Sequence, residues 1–112
     1  MNITDILTEP WVVVEDGAAL VKQLKREAAP GHPLYGVAVE AIAWRLDNDD
    51  VLFKTQEQQL AVVHLVWSEH PQDPPDWPWT VFYSDLDHWV SECLMPDSKE
   101  YESWETTDDT AS

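Results

Sequence analysis

Apolar and polar positions in the first third of the chain alternate in a way that predicts an amphipathic helix. From Asp16 to Ala29, leucine and alanine recur at four-residue spacing, while Lys22, Lys25 and Arg26 fall between them. Asp16 suits the N-cap, and the "PGHP" sequence of residues 30–33 is expected to end the helix.

A second helical stripe follows near the carboxyl end. Apolar residues from Leu86 to Leu94 again fall at helical spacing, and Ser84 and Asp87 form an S-x-x-D sequence typical of a capping box. Pro96 is expected to stop this helix because its ring cannot continue the hydrogen-bond ladder.

Runs rich in valine, leucine and aromatic residues predict strands between these helices. The three main runs cover residues 37–46, 51–56 and 60–67, and shorter candidates lie at 11–15 and 80–83, the last as an edge strand. Linkers of four and three residues join the main runs, so neighbouring strands must be antiparallel. The third run is apolar on both faces and is expected to be central.

These elements predict one α+β domain. We expect an antiparallel meander sheet of three to five strands with two helices packed on one face. The domain is predicted to cover residues 1–104, and residues 105–112 form an acidic tail expected to be disordered. Trp44, Trp67 and Trp89 lie within elements and are predicted to be core residues.

The net charge of the chain indicates more about its function than any sequence motif does. The chain has six lysines and arginines against 22 acids, a formal charge of −16, and residues 47–96 carry ten acids with Lys54 as the only base. Such a surface repels nucleic acid and anionic membrane but speeds encounter with a basic partner. The absence of a signal-like segment, of long apolar runs and of cysteine pairs predicts a cytoplasmic protein.

The stretch "RLDNDDVLF" places Asp47, Asp49 and Asp50 between two strands. Counted from Asp47, an EF-hand loop would need glycine at position six and glutamate at position twelve, where the chain has leucine and glutamine. Turn chemistry explains Asp and Asn here. It does not explain three acids with no apparent base before Lys54, and this surplus indicates a contact surface.

A proline-rich loop offers the second candidate surface. Its sequence "PPDWPW" combines Trp77 and Trp79 with Asp73 and Asp76, so that aromatic anchors are surrounded by acids as in a binding hot spot. Packing of these rings within their own loop is the alternative.

Reactive side chains form no recognisable catalytic or cofactor motif. The chain has only three glycines and lacks H-x-x-x-H, C-x-x-C and G-x-S-x-G sequences. His64 is expected to be a hydrogen-bonded core histidine, and Cys93 an inert buried thiol. We therefore predict a protein that is not an enzyme and that uses no cofactor or metal.

The segment from Trp44 to Val90 resembles a group of small bacterial proteins of no assigned chemistry. It shares their D-D-V-L-F run, their A-V-V-H-L-x-W strand, a proline-rich loop and a D-x-x-x-W helix. These motifs imply a fold more than an activity. In its size, acidity and single-domain build, the chain is also similar to immunity proteins that block bacterial toxins.

The leading hypothesis is therefore a non-catalytic acidic binding protein, an inhibitor or immunity protein that neutralises a basic partner such as a bacterial toxin. The predicted contact residues are Asp47, Asp49, Asp50, Asp73, Asp76, Trp77 and Trp79. A DNA mimic of the anti-restriction or anti-CRISPR type is the alternative, in which carboxylates would imitate phosphates. Two other hypotheses stay open. The chain could be a scaffold whose charge maintains solubility, or an enzyme that brings His64, His88 or Cys93 together in a pocket. The sequence does not indicate an oligomeric state.

Overall fold

The computed structural model of the protein describes residues 6–70 and 78–101. Five strands form one sheet: β1 (Trp11–Val13), β2 (Val39–Arg45), β3 (Asp50–Thr55), β4 (Leu60–His64) and β5 (Thr80–Tyr83). Helix α1 (Ala18–Glu27) lies between β1 and β2, and helix α2, which begins with Leu86–Trp89, follows β5.

The strands are arranged in chain order, each antiparallel to the next, so the predicted α+β fold with a meander sheet is confirmed. β4 is an interior strand, as its pattern predicts, although β3 is the middle one. The register of β2 against β3 shifts between Ala41 and Ala43, which is the mark of a β-bulge at Ile42.

The two helices lie on opposite faces of the sheet, and the prediction that both pack on one face is wrong. Leu24 of α1 packs with Val51 and Phe53, whereas Trp89 of α2 packs with Leu52 and Val62. Because successive strand residues point to opposite faces, β3 and β4 carry apolar residues on both sides and can bury two separate clusters.

Helix α1 begins close to β2. A Cβ atom at Gly17 would lie 2.7 Å from Cβ of Ala41, so the close approach of helix and strand requires glycine there. The predicted cap is shifted by one position: Gly17 is the N-cap residue, while the Asp16 carboxylate accepts a hydrogen bond from the Ala18 N–H at 3.2 Å.

Helix α2 is longer and less regular than its pattern predicts. It starts as an α-helix over Leu86–Trp89, widens into a π-helical turn over Val90–Leu94, and continues as a helix over residues 95–101. Pro96 does not stop it. The widened turn already lacks regular α-helical bonds, so a residue without an N–H costs less there. The cap is Asp85, which accepts from the His88 N–H at 2.8 Å, and not Ser84.

The tryptophans divide differently from the prediction. Trp89 is fully buried as expected, and it meets Trp11 edge to face with ring centroids 5.3 Å apart. Trp44 and Trp67, predicted to be core, are 40% and 52% exposed. Both lie in or beside apolar runs, and periodicity alone does not reveal how much of a face is covered.

Within the described residues, no helix is long and apolar enough to cross a membrane. The proposed tail at 105–112 lies outside the residues that the structure describes.

Candidate functional site

The turn between β2 and β3 is held by hydrogen bonds that its own side chains accept. Arg45 donates to Asp47 through Nε and Nη2, each at 2.8 Å, and its Nη1 lies 3.3 Å from Asp97 on helix α2. Burial alone would lower the pKa of Arg45, but the bonds to Asp47 and the charges of Asp97 and Asp50 outweigh it and raise that pKa. The expectation that these acids lack a nearby base is therefore wrong for Asp47.

The rest of the turn is equally ordered. The side chain of Asn48 accepts from the Asp50 N–H at 2.8 Å, an Asx-type bond that fixes the reversal of the chain. The Asp50 carboxylate lies 2.7 Å from Nδ1 of His64, which pairs with it across β3 and β4. His64 is hydrogen-bonded as predicted, but it is 45% exposed at the side chain and is not a core residue.

Asp49 connects the turn to an exposed tryptophan. Its carboxylate accepts from Nε1 of Trp67 at 3.2 Å, and its backbone carbonyl accepts from the Leu65 N–H at 3.3 Å. Trp67 has φ of +58°, a backbone conformation that bulky residues rarely adopt. The fold therefore holds this large ring beside an acid on the surface, although the arrangement strains the backbone.

A buried carboxylate holds Trp67 in that conformation. Glu27, the last residue of α1, is 0% exposed, and its two oxygens accept from the N–H groups of Val66 and Trp67, each at 2.9 Å. Gln23 donates to the same carboxylate at 2.6 Å and to the Ser68 carbonyl at 2.8 Å. Glu27 thus ties the segment after β4 to the end of helix α1.

Apolar side chains surround the turn at this end of the sheet. Trp44 and Leu46 precede it on β2 and its extension, and both are substantially exposed. We name residues 44–50 together with Trp67 the turn surface. It combines two exposed tryptophans and a leucine with three aspartates, so both apolar and negatively charged groups are present on it.

The second predicted surface is only partly described. Trp79 is 55% exposed immediately before β5. Asp73, Asp76 and Trp77 lie outside the described residues. The contact role of all seven predicted residues stays a prediction.

Cys93 lies on the buried side of helix α2, within its π-helical turn. Its thiol donates a hydrogen bond to the Asp97 carboxylate, with Sγ 3.4 Å from Oδ2. Burial, together with the charge of Asp97, raises the pKa of Cys93 to about 12, so the thiol is protonated at neutral pH. Burial also raises the pKa of its neighbour Tyr83. Asp97 accepts from Trp11 Nε1 at 2.9 Å as well, and this geometry joins helix α2 to the sheet.

In the described ranges, no group of three or more His, Cys, Asp or Glu side chains could hold a metal ion. His88 and Cys93 do not meet: the Nδ1 atom of His88 accepts from the Ser84 N–H at 3.0 Å, while Cys93 faces Asp97.

Sequence reasoning missed Glu27 and Arg45. Glu27 sits at a helix position that faces the sheet, and an acid on an apolar face is the signal that could have found it. Arg45 lies two residues before Asp47, within reach of a bidentate pair.

No protein-family model, no curated protein and no solved structure matches this chain.

Proposed function

We propose that this chain is a non-catalytic binding protein, an inhibitor of the immunity-protein type, which occupies a basic protein partner such as a bacterial toxin through the turn surface. The turn surface is the specific place at which the negative charge of the chain would meet this partner. Association is steered by the acidic field, and affinity comes from burial of exposed aromatic rings.

The observation that carries this proposal is the arrangement of Trp67. A half-exposed tryptophan at positive φ is unfavourable in backbone conformation and in solvation, and a fully buried glutamate is needed to maintain it. Strained residues of this kind cluster at functional sites. Tryptophan is also the residue type most enriched among binding hot spots.

The acids of the turn would contribute unequally. Asp47 is paired with Arg45, so much of its charge is already compensated. Asp49 is exposed and is bonded to a neutral indole, so its full negative charge is available to a lysine or arginine. Asp49 beside Trp67 is therefore the centre of the proposed contact.

This arrangement favours an inhibitor over a DNA mimic. A mimic needs acids spaced like phosphates along an extended face. In the turn surface the acids stand beside Trp44, Leu46 and Trp67, and one of them is neutralised by Arg45, which suits a compact protein contact.

The test begins with affinity capture from a lysate of the source organism, with the tagged wild-type chain as bait. Two surface variants are compared with it: Trp67→Ser and Asp49→Asn. Asparagine can still accept the indole hydrogen bond, so the second change removes charge and little else. Matched controls are Val13→Ser, another exposed apolar residue, and Glu15→Gln, another exposed acid, both of which lie outside the turn surface and away from β5.

A basic protein should be recovered by the wild type and by both controls, and Trp67→Ser should weaken its binding by roughly 10- to 100-fold. Asp49→Asn should slow association by about threefold at low salt and make it less dependent on ionic strength. A partner that binds the Trp67→Ser and Asp49→Asn variants as well as it binds the wild type would remove the turn surface from the contact.

A further inference from the structure

The two edges of the sheet differ in how they are protected. β1 has three residues, follows Pro10, and so offers little backbone for further pairing. β5 has four residues, Thr80 to Tyr83, and contains no charge and no proline. Natural edge strands usually carry such features because an open edge can pair with another chain.

The hydrogen-bond register shows which groups of β5 point outward. The Trp79 carbonyl accepts from the His64 N–H at 2.9 Å, and the strands pair Val62 with Val81. Because antiparallel pairing alternates, the backbone groups of 79, 81 and 83 face β4, and those of Thr80 and Phe82 face away. Within residues 6–70 and 78–101, no strand lies beside them on that side.

The open stretch has defined ends. On one side, the Pro78 carbonyl accepts from Nε2 of the buried His32 at 3.0 Å, and proline has no N–H. On the other, the Ser84 N–H donates to Nδ1 of His88. Among the residues that the structure describes, the edge therefore presents two residues whose N–H and C=O groups bond to no other strand, enough for a short extended segment.

A groove lies on the α1 side of this edge. It has a volume of about 410 Å³, and Leu34, Val37, Thr55 and Phe82 are among the residues that line it. A strand added beside β5 would place alternate side chains on this face, next to Phe82. The lining is mixed, since Gln56, Glu57 and Gln59 also belong to it, so a medium-sized apolar side chain placed next to Phe82 would contact its apolar part.

The negative charge around β5 favours a basic segment as the strand that binds there. Residues 55–98 contain eight acids and no lysine or arginine, and β5 lies within this stretch. Asp85, Asp87 and Glu92 are exposed on helix α2, which packs on the opposite face from the groove. A second copy of this chain, with its charge of −16, would be repelled.

We infer that β5 is a strand-addition site for an extended basic segment of the partner, in which apolar side chains facing the groove alternate with lysine or arginine facing α2. The inference rests on the proposed function, since it names the form in which a basic partner engages the chain. It adds a second contact, separate from the turn surface, that is made chiefly by backbone hydrogen bonds.

The probe is a capped hexapeptide of alternating lysine and valine, titrated into the isotope-labelled chain while backbone amide signals are followed by NMR. The matched peptide has the same sequence with N-methyl groups on the three valines, which leaves charge unchanged and removes backbone donors. We expect the Thr80 and Phe82 signals to shift with the first peptide, and the methylated peptide to bind at least about tenfold more weakly.

Substitution of Thr80 in the chain tests whether the outward N–H groups of β5 bind the peptide. Thr80→Pro removes an outward N–H without breaking a bond to β4, whereas Thr80→Val keeps that N–H and alters only the side chain. Peptide affinity should fall by about tenfold in the first and by less than about twofold in the second. If Thr80→Pro does not fold, the methylated peptide against the wild-type chain still gives the answer.

Equal binding of the two peptides, no binding of either, or shifts confined to the turn surface would each overturn strand addition at β5. None of these results bears on whether Trp67→Ser and Asp49→Asn lose the captured partner. The failure of this inference and the failure of the proposed function are therefore separate outcomes.

Discussion

Glu27 is the residue whose replacement tests the described architecture most directly. Its carboxylate is fully buried and accepts three hydrogen bonds, from the Val66 and Trp67 N–H groups and from the Gln23 amide. Glu27→Gln keeps the shape of the side chain but replaces one acceptor oxygen with an NH₂ group that can only donate.

The expected cost follows from those bonds. If the glutamine oxygen takes the Oε2 position, it keeps the Trp67 and Gln23 bonds, which weaken because the acceptor is no longer charged. The new NH₂ group then faces the Val66 N–H, and a donor left unsatisfied costs about 1–3 kcal/mol. Relief from burying a charge offsets part of this loss. A net destabilisation of roughly 2–3 kcal/mol results.

Urea unfolding, monitored by tryptophan fluorescence and near-UV circular dichroism, measures the change. With a slope typical of small proteins, about 1–3 kcal/mol per molar, the midpoint should fall by roughly 0.7–3 M. Glu27→Ala should cost more, because all three donors lose their partner and a cavity remains.

Glu57→Gln is the matched control, since Glu57 is exposed in the turn between β3 and β4 and should change stability by less than about 0.5 kcal/mol. If Glu27→Gln were as stable as this control, the buried carboxylate would not hold the Trp67 segment. The backbone strain at Trp67 would then no longer support the turn surface as a functional site.

Three further predictions concern groups outside that cluster. Cys93 should react slowly with iodoacetamide at neutral pH until the chain unfolds, because its thiol is buried and protonated. Folding raises the pKa of this thiol from 9.0 to about 12. The free energy of unfolding should therefore fall as the pH rises from 9 towards 12, by up to about 1.4 kcal/mol per pH unit. Rapid labelling of the native thiol would contradict this. Arg45→Gln should destabilise by about 1–2 kcal/mol in thermal melts, because Asp97 loses a partner in a partly buried site; an unchanged melting temperature would show the pair to be inert. Gly17→Ala should also lower the melting temperature, because its Cβ would overlap Ala41, and a rise would mean that helix propensity outweighs the overlap.

The sheet could be predicted because its information is local. Short linkers dictate antiparallel neighbours, and the strand of residues 60–64 is buried on both faces because its sequence is apolar at every position but the last. That double-sided pattern also implies cover on both faces. The prediction that both helices lie on one face is wrong because an apolar stripe shows that a helix packs on the sheet but not on which face.

The turn surface was predicted only in part. Local turn chemistry located the three aspartates, but their partners come from elsewhere in the fold: Trp67 lies 18 residues from Asp49, and His64 lies 14 residues from Asp50. The pattern predicted Trp44 and Trp67 to be buried because an apolar run shows which residues share a face but not how much of that face is covered.

The π-helical turn at Val90–Leu94 suggests how this fold responds to insertion and deletion. A wide turn absorbs one extra residue, so the residues after it keep the angular positions that they would have in a regular helix one residue shorter. Asp97 receives hydrogen bonds from Trp11 and Cys93, and lies beside Arg45, only in the present phase. Deletion of a single residue such as Ser91 would therefore leave Asp97 facing all three from a regular helix, whereas a helix of the present length without the wide turn would rotate Asp97 away by about 100°. In this segment the wide turn therefore absorbs a change of one residue in length that a regular helix would pass on to Asp97.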